Sequence, residues 1–320
     1  MPGPGRIIYY IVRSSGPSGG IKVLLEHVRT LRAAGFDAYA YTKNQDQRPT
    51  AFEVDAPILS GAINITAKDV IIRPETFSHT DLVAAAKAGL WQAVFVQNHY
   101  FCRHGLGPAR RYAELGIPDV YCASQRIKRF LETNGIASDV PVIPCAVEMP
   151  DSIAGKVERI AVMPRKRRFE FNFIRHHFAL RYPDLADIPW AVIENMPHSE
   201  VLETLARSTL FLSLQRLEGF GLPALEAMAA GCLVAGFAGD GGWDYADAAN
   251  GSWVQEDALE EAADALAAAA RGLRGGDPRF RAMVEAGRST AARFGAEARD
   301  KALIGYFETL LTRGPGENRT

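Results

Sequence analysis

Short apolar runs alternate with stretches of helical periodicity along this chain. The first run, IIYYIV from Ile7 to Val12, is β-branched and aromatic and breaks into RSSGPSGG. Ile21, Leu24, Leu25, Val28 and Leu31 then recur at helical spacing, and Gly35 stands where a glycine ends a helix. FDAYAYT, DVIIRPE and WQAVFVQNHY are the next candidate strands. Buried runs separated by helices predict parallel βαβ units. The segment VPVIPCAVEMPDSIAGK, with three prolines and a polar tail, reads as a linker. Beyond it the alternation restarts: ERIAVMP, a helix over about Phe169 to Leu180, PWAVIEN, a helix from about Ser199, STLFLSL, a helix opened by Pro223, and CLVAGFAG. Alanine-rich helices follow over about Asp257 to Leu273 and Ala296 to Leu311. The expectation is an α/β protein of two Rossmann-like domains, 1–148 and 149–295, with a helix in 296–320 packing back on the first.

Composition narrows the partners. A chain of 320 residues with 48% apolar content can fill two cores. Lys and Arg total 36 against 37 Asp and Glu, so no global charge draws it to nucleic acid or to an anionic membrane. At most peripheral membrane contact is expected, and the oligomeric state is not legible. Cys102, Cys122, Cys145 and Cys232 are scattered without a C-x-x-C pair, which fits buried thiols better than a zinc site or a stapled secreted scaffold. The apolar run near the N-terminus is too short for a signal peptide, and no stretch reaches the roughly 20 apolar residues of a membrane helix. A soluble, cytoplasmic protein is the expectation.

Open α/β sheets bind ligands beyond the carboxyl ends of their strands, where helix N-termini favour anions. The Gly-rich turn at residues 16–20, with Gly19 and Gly20, occupies such a place. It lacks the G-x-G-x-x-G spacing, and the second strand ends in YTK without an acid, which argues against a dinucleotide. There is no G-K-[ST] and no H-E-x-x-H, and none of the 17 aspartates has another two positions away. Anion binding without a metal or other cofactor is the remaining mode.

The stretch LEGFGLPALEAMAAG supplies a site for it. Pro223 suits a helix's first turn, while Gly219 and Gly221 let backbone approach a ligand. Glu226, one turn into that helix, leans back toward its N-terminus, and Glu218 enters from the preceding loop. Facing a diphosphate, each carboxylate would be repelled, by roughly 4 kcal/mol per unit-charge pair at 4 Å and an effective dielectric near 20. The two acids are therefore expected to face hydroxyls, such as a ribose diol and a hexose flanking a diphosphate. Compensating cations come from PRKRR at 164–168, chiefly Arg165 and Lys166.

EGFGLPALEAMAAG resembles the E-x7-E signature of retaining glycosyltransferases with the GT-B fold, the bacterial family 4-like group. The likeness extends to the glycine pair after the first strand, VFVQNHY, YCASQRIKRFL, VPVIPCAVE, AVMPRK and GDGGWDYA. It implies two Rossmann-like domains facing a cleft, the first on the acceptor side and the second holding a nucleotide-sugar donor. Glu226 would bind ribose and Glu218 the transferred sugar. Arg165 and Lys166 would bind the diphosphate, with the backbone of Gly219, Phe220, Gly221 and Leu222 on phosphate or sugar. Asn195 and Met196 would lie near the base. Gly19 and Gly20 would approach the diphosphate across the cleft, and His99 the reacting centre. Arg73, Glu75, Asn98 and Tyr100 are the acceptor candidates, for a glycan, a lipid-linked or a small-molecule acceptor. Relatives carry a second cation five or six residues after the first arginine; here Glu170 and Phe171 stand there, leaving Lys166 or Arg168 as substitutes.

Plainer uses compete for several of these residues. PRKRR is also a solvated or RNA-binding run, His99 equally a satisfied core histidine, and Arg73 with Glu75 equally a surface pair. His176 and His177 read as structural, and Trp243 and Tyr245 as core. The resemblance implies metal-independent hexosyl transfer by front-face attack, without a protein nucleophile. A sugar-nucleotide 2-epimerase of similar fold and a non-catalytic sugar-nucleotide binder are the alternatives.

Overall fold

The computed structural model describes residues 5–12, 18–47, 54–150 and 155–315. In chain order the first elements are β1 (Ile7–Tyr10), α1 (Gly19–Ala33), β2 (Ala38–Thr42), β3 (Ile58–Ser60), β4 (Val70–Pro74), α2 (His79–Lys87), β5 (Trp91–Val96), α3 (Cys102–Leu106), β6 (Asp119–Cys122) and α4 (Gln125–Thr133). Then come β7 (Val157–Val162), α5 (Arg168–Arg181), β8 (Trp190–Val192), α6 (His198–Ala206), β9 (Ser208–Leu214), α7 (Leu222–Ala229), β10 (Leu233–Phe237), α8 (Gly239–Gly242), β11 (Ser252–Val254), α9 (Leu259–Arg274), α10 (Pro278–Ala292) and α11 (Ala296–Arg313). Two compact units result, Met1–Cys145 with Glu297–Thr320, and Ala146–Ala296. Of the sequence motifs, residues 16 and 17 of the glycine-rich stretch and 151–154 of the linker lie outside the described residues.

The first unit is built on a parallel sheet of order β3-β2-β1-β4-β5-β6. Its central strands β1, β4 and β5 are buried almost end to end and mostly apolar, as strands covered on both faces are, with Arg73 and Gln92 the polar residues within β4 and β5. Ile7 pairs with Ala38 on one side and Val70 on the other. Helix α1 ends as its glycine predicts: Gly35 takes φ +89°, and the Phe36 amide donates to Leu31 O at 2.9 Å, a Schellman closure. Helix α11 belongs to this unit. Its Arg299, 2% exposed, donates to Glu26 Oε2 on α1 at 2.7 Å, and Phe307 packs near Tyr9 and Tyr121.

The second unit carries a parallel sheet of order β11-β10-β9-β7-β8. Phe171, Ile174 and Phe178 of α5 enter its core with Leu210, Leu212, Leu233 and Phe237 from the strands. Small side chains on α9, among them Ala262, Ala263, Ala267 and Ala270, pack in the same cluster. Several elements go unnamed in the sequence-based expectation, among them three strands and helix α10. β3 and β11 are three-residue edge strands, half-buried and too short for a pattern. β6 has only four residues. α10 hides its inward stripe behind three arginines and Gly287; a methyl on that glycine would come within 3.3 Å of Met228 Cγ. The four cysteines are free and buried. Among the described residues no helix is long and apolar enough to cross a membrane.

His27 on α1 is fully buried between Tyr9 and Phe95. Burial, with the Arg299 charge added, lowers its pKa from 6.5 to about 3. Between those values the unfolded chain binds a proton that the folded chain rejects, so acid destabilises the fold. Relative to His27→Phe, wild-type stability is expected to fall as pH drops below about 6.5, by at most about 1.4 kcal/mol per pH unit. Urea titrations of both proteins from pH 7 to 4 check this; parallel curves contradict it.

Candidate functional site

In the second sheet the strand order reverses between β7 and β9. Loops leaving the carboxyl ends of strands at such a reversal form the ligand crevice of open α/β sheets. The loop after β7 carries Arg165 and Lys166, both exposed, and the loop after β9 carries Glu218. Lys166 Nζ stands 2.8 Å from Glu218 Oε1, with the side chains 59% and 32% exposed. An ion pair this accessible adds at most about 1 kcal/mol to stability. Its partners are free to exchange for a ligand's groups.

The loop bearing Glu218 is held firmly on its inner side. Gly221 caps α7 with φ +88°, and its carbonyl accepts from Gln215 Nε2 at 2.9 Å and Tyr245 Oη at 2.5 Å. A methyl at Gly221 would lie 1.9 Å from Gln215 Oε1. Phe220 is buried edge-on to Tyr245 and Phe294, so residues 219–222 can meet a ligand only through backbone or Leu222. Helix α8 lies directly on this loop: a methyl at Gly241 would approach Gly219 C and Phe220 N to 2.4 Å and Glu218 O to 2.6 Å. Tyr245 is core as expected, but Trp243, at the end of α8, is 56% exposed. Its core assignment is corrected, because α8 is one turn of glycines pressed against the loop and leaves the next residue outside.

Glu226 sits in α7, 8% exposed, with Oε1 3.7 Å from His198 Nε2 at the start of α6. His198 was missed from the sequence. Its signal was position, two residues beyond Asn195 and Met196 at the carboxyl end of β8. Asn195 is exposed with φ +51°, and Met196 is half-buried.

The basic run is divided by its surroundings. Arg167 is buried, with Glu256 at 2.7 Å, Glu170 at 3.0 Å, Asp257 in contact, and Phe237 beneath its guanidinium at 5.1 Å. Burial lowers its pKa, and the surrounding acids more than reverse that, leaving it raised. It therefore serves structure. Glu170, at the place of the missing second cation, is one of its partners, and Phe171 is core. Arg168 pairs with Glu194, and Lys166 stands beside Glu218.

In the first unit the strand order reverses between β1 and β4. Gly19 and Gly20 are the opening residues of α1 rather than a turn. A methyl at Gly20 would make ordinary contact with the Gln97 amide, at 3.4 Å, and Gln97 Nε2 donates to Gly20 O at 3.2 Å. Arg73 and Glu75 are not a surface pair. Arg73 is buried over the rings of Phe77 and Tyr10, at 4.3 and 4.9 Å, with Nε donating to Gln92, and burial lowers its pKa to about 10. Glu75, 5% exposed, accepts from the amides of Gln97 at 3.2 Å and Asn98 at 2.8 Å. Burial raises its pKa to about 7 despite those donors. Asn98 Oδ1 accepts from the Tyr100 amide at 3.1 Å. His99 is buried against Tyr100 and Phe130, with centroids at 4.3 and 4.5 Å, whereas Tyr100 is 43% exposed.

Comparison with known proteins adds a second line of findings. Residues 190–288 match the family model Glycosyl transferases group 1. The chain is 26% identical over 264 residues to an alpha-1,6-glucosyltransferase of Actinobacillus pleuropneumoniae serotype 7 (strain AP76), a match covering 78% of each protein. Sucrose-phosphate synthase of Thermosynechococcus elongatus superposes with a TM-score of 0.68 at 14% identity, over 97% of this chain and 100% of the other. HepE of Anabaena, solved in complex with UDP and glucose, gives 0.67 at 14% identity over 96% and 100%. The two parallel-sheet units have the GT-B fold, and the family match with the glucosyltransferase relative supports a glycosyltransferase. His198, Glu218, Glu226 and Trp243 fall within the matched segment; Arg165 and Lys166 precede it.

Helix α8 as a backstop for the Glu218 loop is testable. Gly241→Ala is expected to cost about 1–3 kcal/mol in chemical denaturation, because the loop backbone must move. Gly305→Ala, where an added methyl meets nothing within 4 Å, is the control and should leave stability unchanged or improved. Equal behaviour of the two variants contradicts the packing argument.

Proposed function

We propose that this protein transfers a hexose from a nucleoside-diphosphate sugar to an acceptor hydroxyl, with retention of configuration and without a divalent ion. The observation that carries the proposal is the Lys166–Glu218 pair at the reversal of the second sheet, with Glu226 buried in α7, the helix that follows the Glu218 loop. Cation and acid are assembled before ligand arrives. When a diphosphate enters, the ammonium can pass from carboxylate to phosphate oxygens, and the released carboxylate can accept sugar hydroxyls. Arg165 and the N-terminal amides of α7 add positive potential for the charge that builds on the leaving diphosphate. Glu226, already beside an imidazole, is assigned the ribose diol, and Asn195 with Met196 the base. The Glu218 and Glu226 spacing supports retention through its resemblance to retaining enzymes. In the first unit, Asn98 and the exposed Tyr100 are assigned to the acceptor, with His99 packed against the Tyr100 ring. UDP-glucose is the donor to try first, given the glucosyltransferase relative and the UDP and glucose in the Anabaena neighbour.

Glu218→Ala and Arg165→Ala are each expected to lower turnover of UDP-glucose by about 10²–10³ with circular dichroism unchanged; wild-type rates in both sink the assignment. Glu226→Ala is expected to weaken UDP binding at least tenfold by calorimetry while leaving the glucose-dependent part of donor affinity in place. Turnover should survive excess EDTA, and its abolition with recovery on adding Mg²⁺ would overturn the metal-free mode.

A further inference from the structure

Glu75 combines three features that its neighbours do not explain. It is a carboxyl group almost wholly withdrawn from water, it carries no arginine or lysine partner among its contacts given above, and both oxygens are spent on main-chain donors of another strand's loop. β4 and β5 are adjacent parallel strands with Pro74 opposite Phe95. Glu75 follows the first and Gln97–Asn98 the second, so one side chain spans the two carboxyl ends. Burying an acid this way is costly, as its rise toward neutrality records. A hydrophobic residue would fill the same space but leave the Gln97 and Asn98 amides without these acceptors.

The loop it holds continues directly into His99 and Tyr100. Asn98 in turn fixes the Tyr100 amide, and the Gln97 side chain reaches Gly20 in the opening turn of α1. Backbone anchoring at residues 97 and 98 thus sets where the next two side chains project, and Gln97 couples that setting to α1.

We propose that Glu75 is a positioning residue: its carboxylate fixes the loop of residues 97–101, and through Gln97 the start of α1, so that the exposed Tyr100, with buried His99 packed against its ring, is presented in one orientation to an acceptor. This rests on the acceptor assignment made above. It replaces the expectation that Glu75 touches the acceptor itself, since both of its oxygens are engaged and the group is buried.

Hydrogen exchange by mass spectrometry on the free protein reads the brace without any substrate. Glu75→Ala should raise exchange at least tenfold in peptides covering residues 97–101 and, more weakly, Gly20–Leu24, while peptides around Glu218 keep the wild-type rate. Glu75→Gln keeps the volume and one acceptor oxygen, and should restore most of the protection at Asn98. Gln97→Ala should loosen only the α1 turn. In the same proteins, UDP affinity should stay within twofold while kcat for glucose release from UDP-glucose falls at least tenfold in Glu75→Ala and recovers in part in Glu75→Gln. Unchanged loop exchange in Glu75→Ala, or acceleration spread evenly over the first unit with no recovery in Glu75→Gln, overturns the proposal. Should UDP-glucose not be turned over by the wild type, the donor reading fails while the exchange data still decide on the brace.

Discussion

An ammonium and a carboxylate from loops on two different strands stand 2.8 Å apart at the reversal of the second sheet, and the rest of the proposed chemistry depends on that meeting. It requires β7 to lie against β9, with Val162, the last residue of β7, opposite Leu212, two residues before β9 ends. The loop after β9 must also keep its shape. Gln215 and Tyr245 grip the Gly221 carbonyl from below, Phe220 is locked among aromatic rings, and α8 closes the remaining side with glycine. Only after this inner scaffold is rigid does Glu218, itself partly exposed, have a defined position. The pair is weak as a stabilising contact, and that weakness suits a binding site whose partners change hands when an anion arrives.

Charge in this protein is sorted by burial. Within one basic run, Arg167 is sealed among acids and an aromatic ring while Arg165 and Lys166 remain accessible. In the first unit, Arg73 and Glu75 are both enclosed, each satisfied by groups other than its neighbour in sequence. The enclosed charges act through what they hold in place. The accessible ones are those available to a ligand.

This sorting marks the limit of what was legible in the sequence. The two α/β halves, the helix at Pro223 and the glycine closure at Gly35 could be read because each follows from local pattern or backbone geometry. The local form of LEGFGLPALEAMAAG could be read because loop, glycine and helix are contiguous. For His198 the sequence offered only its position near the end of β8; its partnership with Glu226 comes from the adjacency of α6 and α7, which no local pattern encodes. The roles of Arg167 and Glu75 were hidden for the same reason: Asp257, Glu256 and the amides of Gln97 and Asn98 lie far away in the chain. Trp243 was misread because an aromatic after glycines looks like core packing until α8 is seen to be used up against the Glu218 loop.

The central claim is that a diphosphate displaces Glu218 from Lys166 and is held there by side chains and amides alone. A crystal structure with UDP-glucose, grown in the presence of EDTA, tests it most directly. The account predicts phosphate oxygens within hydrogen-bond distance of Lys166 and Arg165, Glu218 turned to the hexose hydroxyls, and the ribose on Glu226. A donor lodged away from the carboxyl ends of β7 and β9, or one that appears only when a divalent ion is supplied, would contradict it.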